Sequence, residues 1–423
     1  MAKNGNNVSD SSLSAKPQSA LAAGHGPLAT VAEARATMLS GLAVCGEESV
    51  TLGEALDRVL AQPVAAVRDQ PPFAVSEMDG YAVIAGETPG TLKLIGESSA
   101  GHGFEGTLTK GASIRISTGA AVPAGADAVV IQENVSRVED SVTVPRAASG
   151  QHIRPQAMDF AAGTALLQAG RRLDGIALAM AAATGMARLA VRRRPKVAIL
   201  SGGDELADPG ATPGPFQIFD SGTHGIAALV RHWGGEPHRL QLEKDDPSAI
   251  ARAAEQGLKD NDLLVLVGGA SVGDHDHARP ALLKLGLQMR VNKIALRPGK
   301  PTWFGHALDR PVLGLPGNPA SALVCAQLFL KPLLEAMLGR DAGANLVRAR
   351  LSEALPANSN REHYLRARLS SDAQGVATVL AFEQQDSSLL SVFAAANALI
   401  RLPANTPAQE KGALVDVLPL DAV

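Results

Sequence analysis

The sequence predicts a multidomain α/β plus β protein. A central, mostly parallel α/β domain is joined to a helical linker domain, an inserted small β domain and a C-terminal β domain. Three observations lead there. The chain has 423 residues, more than one ordinary core accommodates. From Arg194 to Met337 short apolar strands alternate with helix-like stretches, the rhythm of βαβ units. On either side of that region, short β-rich pieces are separated by Gly-containing turns.

Residues 1–27 are rich in Ser, Asn, Gly and Ala and lack the apolar core of a secretory signal, so they are expected to form a disordered tail. Thr30–Glu33 and Thr51–Glu54 both have capping-box spacing and predict two helices, the second stopped by Pro63. Their apolar faces would be Val31, Met38 and Leu42, then Leu52, Leu56, Val59 and Leu60. TLKLIG, ASIRIS, DAVVIQE and SVTVP read as strands of a β domain over 66–146. Helix-like sequence returns at Asp174–Gly185, so the linker domain is assigned to 28–65 and 147–190. The α/β domain, 191–345, starts with the strand PKVAIL and ends with the helical run NPASALVCAQLFLKPLLEAML. Short β-like pieces from RARLS to ALVDVLPL fill 346–423.

Composition narrows the function classes. A net charge of −3 gives no global attraction to nucleic acid or an anionic membrane, and 3% aromatics argues against base-stacking platforms. Two distant cysteines, Cys45 and Cys325, suit a reducing compartment and neither a disulfide framework nor a zinc ribbon. The Ala-rich stretch from Gly175 carries Arg188 and is too weakly apolar to span a bilayer. The protein is expected in the cytoplasm, with no membrane and no nucleic-acid partner.

Ligands of open α/β sheets bind beyond the carboxyl ends of the strands, and the polar loops of this sequence fall there. SGGDEL places Asp204 and Glu205 directly after a strand; pattern alone leaves Asp204 as a helix cap or a site residue. In DDP, Asp245 or Asp246 is equally a candidate cap. The loop GGASVGDHDH, starting at Gly268, could cradle an anion with its backbone N–H groups, and Asp274 and Asp276 suit a metal. RPGKP, with Lys293 upstream, sets Lys293, Arg297 and Lys300 within eight residues, a stiff cationic segment suited to phosphate or a molybdate-like oxyanion. LPGNPAS turns into a helix N-terminus. Acids for Mg²⁺ beside cations for phosphate suit a nucleotide- or pyrophosphate-handling site. Asp79 sits at an Asp-Gly corner in PPFAVSEMDGYAVI; turn rules alone make it a corner residue.

MDGYAV, RISTGAAVPAGADAVVIQE, SGGDEL, FDS, GGASVGDHD, RPGKP and LPGNPASAL occur in this order. In this the chain resembles the molybdopterin molybdenumtransferase family (MoeA and the gephyrin E-domain) over roughly residues 28–420. The resemblance implies a homodimer with an active site shared between subunits and a pterin-binding α/β domain. It implies insertion of molybdenum from molybdate into adenylyl-molybdopterin, with Mg²⁺-dependent release of AMP. Other cofactor-biosynthesis proteins are implied partners. Carried over by motif, the catalytic positions are Asp79, Asp159, Glu205, Asp245 and Asp276, with Glu205 and Asp276 as metal ligands. The binding positions are Thr118, Ser201, Gly268, Gly269, Ser271, Lys293, Arg297 and Lys300, with Pro298 and Pro316 shaping the same loops. The sequence departs from the family pattern at Ala74 and Val75, at Gly203 where Thr is usual, at Gly222 where Asn is usual, and at Arg297 where Lys is common. Those departures keep open an alternative, a non-catalytic molybdopterin-binding or carrier paralogue.

Overall fold

A computed structural model describes residues 28–240, 246–268, 278–343 and 345–420. The central sheet has six strands in the order Glu236–Arg239, Lys196–Ser201, Leu263–Val267, Arg310–Leu315, Trp303–Ala307, Gln288–Val291. The first four are mutually parallel; the last two pairings are antiparallel. Leu263–Val267 is buried at every position, as a strand covered on both faces must be. The chain leaves Lys196–Ser201 for one neighbour, Glu236–Arg239, and returns to the other, Leu263–Val267. That reversal opens a crevice at the carboxyl edge between the two strands.

Helices Gly222–His232 and Pro247–Asp260 follow strands as the sequence rhythm requires. Asp246 caps the second, accepting from the Ser248 and Ala249 N–H groups, and Pro247 opens it. The run Pro319–Met337 is one helix with a π-helical segment at Ala326–Leu330 just after Cys325. Among the described residues it alone has the length and hydropathy of a membrane span, and 83% of its apolar window is buried in the protein core.

The first expected helix forms at Val31–Leu39 with its capping box complete, and Val31, Ala34 and Met38 bury against the α/β core. The second does not. Leu52–Glu54 is a single 3₁₀ turn, Leu56 is exposed, and Asp57 has φ +62°. The Thr51–Glu54 box is made, yet Val59 bridges Arg172 and Leu60 bridges Val191 where the helix would have run. Apart from Val31–Leu39, which packs on the α/β core, the linker region therefore carries short β pairs around the helix Gly175–Ala183, capped by Asp174.

The inserted sheet runs Ala128–Ile131, Gly80–Val83, Ala112–Ile116, Gly90–Ser98, Ser141–Val144, Ser136–Val138. The C-terminal sheet closes on itself: Glu362–Ser371 pairs with both Ala377–Ala381 and Ala398–Leu402, giving a five-stranded barrel. Leu296–Arg297, from the α/β part of the sequence, adds to this barrel as a parallel edge strand, with Leu296 opposite Glu362 and Arg297 opposite His363.

Candidate active site

Three of the sequence-assigned groups can be placed. The first lies at the carboxyl edge of the central sheet. Ser201 ends its strand 4% exposed, and its Oγ has no hydrogen-bond partner among the described residues. Glu205 follows on an exposed loop, its carboxylate folded against Gly203, which has φ +145°. A Cβ at Gly203 would overlap that carboxylate, so the glycine permits both the backbone and the approach. Gly268 (φ +89°) and Gly317 face each other so closely that a Cβ on Gly317 would sit 3.4 Å from Gly268 Cα. Backbone thus lines this part of the edge. Asp220, in the FDS motif, is 3% exposed and accepts from the Thr223 N–H at 3.0 Å and from the Thr223 hydroxyl. Arg239 donates to Thr223 Oγ1 at 2.9 Å. This buried carboxylate fixes the start of helix Gly222–His232, a role the motif alone did not reveal. Asp245, Gly269, Ser271 and Asp276 lie outside the described residues. Among the described residues no three His, Cys, Asp or Glu side chains gather as a metal site.

The second group is a cleft of about 630 Å³ between the α/β edge and the barrel. Arg297, Pro298, Lys300, Pro316 and Asn318 line one wall; Arg361, Gln385, Asp386 and Ser387 line the other. The wall residues from the barrel were missed in the sequence, where they are isolated polar positions with no motif. Asn318 Nδ2 donates to Ser387 Oγ at 2.8 Å and ties the two walls together. Arg366 is fully buried behind the second wall, donating through Nε to Gln385 at 3.1 Å and through Nη1 to the Asp386 carbonyl at 2.8 Å. Its Nη2 has no partner among the described residues. Ser388 donates twice to Asp386 and holds its carboxyl below the usual range. His363 is buried beside Arg297, Arg366 and Arg361; burial first and those cations second push its pKa down to about 4, so it is neutral near pH 7. Beneath the loop, a Cβ at Gly299 (φ +119°) would overlap Cys325 Sγ and come 2.8 Å from Leu296 Cδ2. The Thr302 hydroxyl donates to the same sulfur at 3.1 Å. Lys293 does not line this cleft; its carbonyl accepts from the Ala29 N–H at 3.2 Å.

The third group is on the inserted sheet. Gly80 pairs with Ile116, so the residues just outside that pair, Asp79 and Thr118, meet. Asp79 Oδ1 accepts from the Thr118 N–H at 2.6 Å and its hydroxyl at 3.0 Å, and these bonds lower its pKa. A Cβ at Gly80 would strike the Val130 carbonyl, so only glycine fits next to Asp79. Asp79 is more than a corner residue: its carboxylate is held, exposed and ionised. Asp159 is exposed too, its N–H donating to the Gln70 carbonyl at 2.9 Å, while Phe73, Met78 and Met158 leave apolar surface uncovered nearby in sequence. Asp79, Thr118 and Asp159 are not among the residues lining the Arg297–Lys300 cleft of the same chain.

Three family models tile the chain. The MoeA N-terminal region (domains I and II) matches residues 29–185, a probable molybdopterin binding domain matches 198–336, and the MoeA C-terminal region (domain IV) matches 348–420. Fold and site thus define a multidomain protein built around a molybdopterin-binding type of α/β unit. A molybdopterin molybdenumtransferase from Nostoc is 36% identical over 333 residues, 75% of this chain and 76% of that protein. Molybdopterin molybdenumtransferase 2 of Mycobacterium tuberculosis is 33% identical over 388 residues, covering 88% and 95%. The crystal structure of the molybdopterin biosynthesis MoeA protein from Pyrococcus horikoshii superposes with a TM-score of 0.83 at 30% identity, covering 94% of this chain and all of that one. The chain belongs to the molybdopterin molybdenumtransferase (MoeA) family of transferases.

Proposed function

We propose that the protein acts in molybdenum cofactor biosynthesis, inserting molybdenum from molybdate into adenylyl-molybdopterin with Mg²⁺-dependent release of AMP. One observation carries the reading: the Arg297–Lys300 segment is paired to the barrel, so Arg297 and Lys300 share a cleft with Arg361. Three cations around a polar cleft suit a tetrahedral oxyanion and the phosphate of a leaving nucleotide. The unpartnered Oγ of Ser201, at the carboxyl end of its strand, is donor capacity that a polar substrate would use.

Pterin and adenylyl groups would lie along the carboxyl edge, where Gly268 and Gly317 let a ligand approach backbone closely. Glu205 is the described carboxylate available to Mg²⁺, with Asp276 as the second ligand the sequence assigns; bound there, the ion would neutralise charge developing on the adenylyl phosphate. In a cytoplasmic homodimer, the Asp79–Thr118 corner would serve the α/β edge of the partner subunit, orienting water or substrate through its ionised carboxylate. Lys293, Asp159 and Asp245 belong to the same proposal on motif grounds. Other cofactor-biosynthesis proteins would supply the pterin and receive the product.

The test incubates purified protein with adenylyl-molybdopterin, Mg²⁺ and either molybdate or tungstate, and follows AMP. Release that requires both the oxyanion and the divalent ion is expected. Tight pterin binding with no AMP under any metal condition would overturn the transferase reading and leave a carrier.

A further inference from the structure

Most arginines around the linker have partners. In the run Arg192-Arg193-Arg194, Arg192 lies 3.5 Å from Glu47, and Arg193 makes bonds of 2.8 and 3.0 Å to Asp262. Arg194 is partly buried, yet its guanidinium has no hydrogen-bond or ion-pair partner among the described residues. It lines a cleft of about 580 Å³ at the amino edge of the central sheet, the opposite end from the reaction cleft. Asp57, Arg172, Arg231, Glu236 and His238 line it as well.

The two acids of this cleft are already engaged. Asp57 forms an ion pair with Arg172 at 2.9 Å, and Glu236 pairs with His238 at 2.9 Å. Arg172 is further held by the His232 carbonyl at 3.2 Å, so its guanidinium is fixed in place. Arg231, in the last turn of helix Gly222–His232, faces the negative end of the helix dipole, which accounts for a cation there. Nothing comparable accounts for Arg194. Burial first and the nearby Arg58 second lower its pKa, outweighing the attraction of Asp57 and Glu48, neither of which pairs with it directly. A partly desolvated guanidinium with no direct ion-pair partner gains from an anion that joins it.

We propose that this cleft is a second anion site, binding a small phosphate-bearing molecule between Arg194 and Arg231, with Arg172 alongside. The planar forks of arginine match phosphoryl oxygens in pairs. The volume admits inorganic phosphate, pyrophosphate or a nucleoside monophosphate. Because Arg172 comes from the linker region and Arg231 from the α/β unit, the ligand ties the two together and stabilises the folded chain by mass action.

The test uses the full chain with Arg297→Gln and Lys300→Gln, which silences the reaction cleft. Phosphate, pyrophosphate and AMP are titrated separately by calorimetry at low salt. One site per chain is expected for at least one of them, with Kd raised tenfold or more by adding Arg194→Gln and Arg231→Gln. Arg194→Lys keeps the charge and loses the fork, so it should fall between. In an otherwise native chain, Arg194→Gln with Arg231→Gln should leave AMP release unchanged. If the double substitution does not fold, Arg194→Lys and Arg231→Lys singly carry the comparison. Absence of phosphate-class binding in the silenced chain, a Kd unchanged within twofold by the substitutions, or binding of an acidic peptide in place of all three phosphates would each overturn the proposal.

Discussion

Gly299→Ala probes how the cationic loop is seated. The residue has φ +119°, and its Cβ would overlap Cys325 Sγ and crowd Leu296 Cδ2 at 2.8 Å. The backbone share of the cost is about 1–3 kcal/mol. Overpacking against a fully buried sulfur adds about 1–3 kcal/mol. The strain has one easy outlet: Lys300 is exposed, so the loop lifts toward the cleft and displaces Arg297 and Lys300 from Arg361. We expect the melting temperature to drop and the molybdate KM for AMP release to rise at least tenfold, with a smaller change in kcat. Cys325→Ala removes the sulfur at a cost of its own of about 1 kcal/mol or somewhat more. In the Gly299→Ala background it should restore the overpacking share and part of the KM, leaving the backbone share. A double-mutant cycle in differential scanning calorimetry and AMP release measures this coupling. Strict additivity of the two substitutions, or an unchanged KM in Gly299→Ala, refutes the idea that Cys325 sets the height of the loop.

Asp79→Asn should fold and assemble like the parent while AMP release falls by an order of magnitude or more; activity near the parent's would return Asp79 to a turn residue. Asp220→Ala removes the acceptor for a buried N–H and hydroxyl at a helix start and should cost about 2–4 kcal/mol by denaturant unfolding; a loss under about 0.5 kcal/mol counts against it. His363 predicts a pH effect. Its folded pKa of about 4 lies below the unfolded value near 6.5, so the unfolded state takes up the proton first and stability falls as pH drops from about 6.5 to 4. The difference corresponds to about 3 kcal/mol, fully lost below pH 4. His363→Gln should flatten that limb of the unfolding curve, and an unchanged limb would assign it to carboxylates.

The α/β rhythm was legible because buried parallel strands are short continuous apolar runs, as LLVLV and KVAILS are. The Arg297–Lys300 cations were legible because stiff prolines and charges share one short segment. The opposite wall was not. Arg361, Gln385, Asp386 and Ser387 are polar, distant in sequence and tied to the site only by closure of a barrel and a parallel pairing at Leu296–Arg297. Long-range pairing leaves no local pattern. The failed helix at Thr51 shows the converse: a local capping signal was present and satisfied, and β-bridges across more than a hundred residues overrode it.

The Leu296–Arg297 pairing has a consequence for modularity. The α/β unit looks separable, with its own sheet and core, yet a two-residue strand of it belongs to the barrel's hydrogen-bond ladder. Excising the barrel would remove Arg361 and would also unhook Arg297 from the backbone that aims it. An α/β unit transplanted alone would carry the motif RPGKP intact and lose the geometry that motif stands for. The cleft is a seam, and only the joined halves define it.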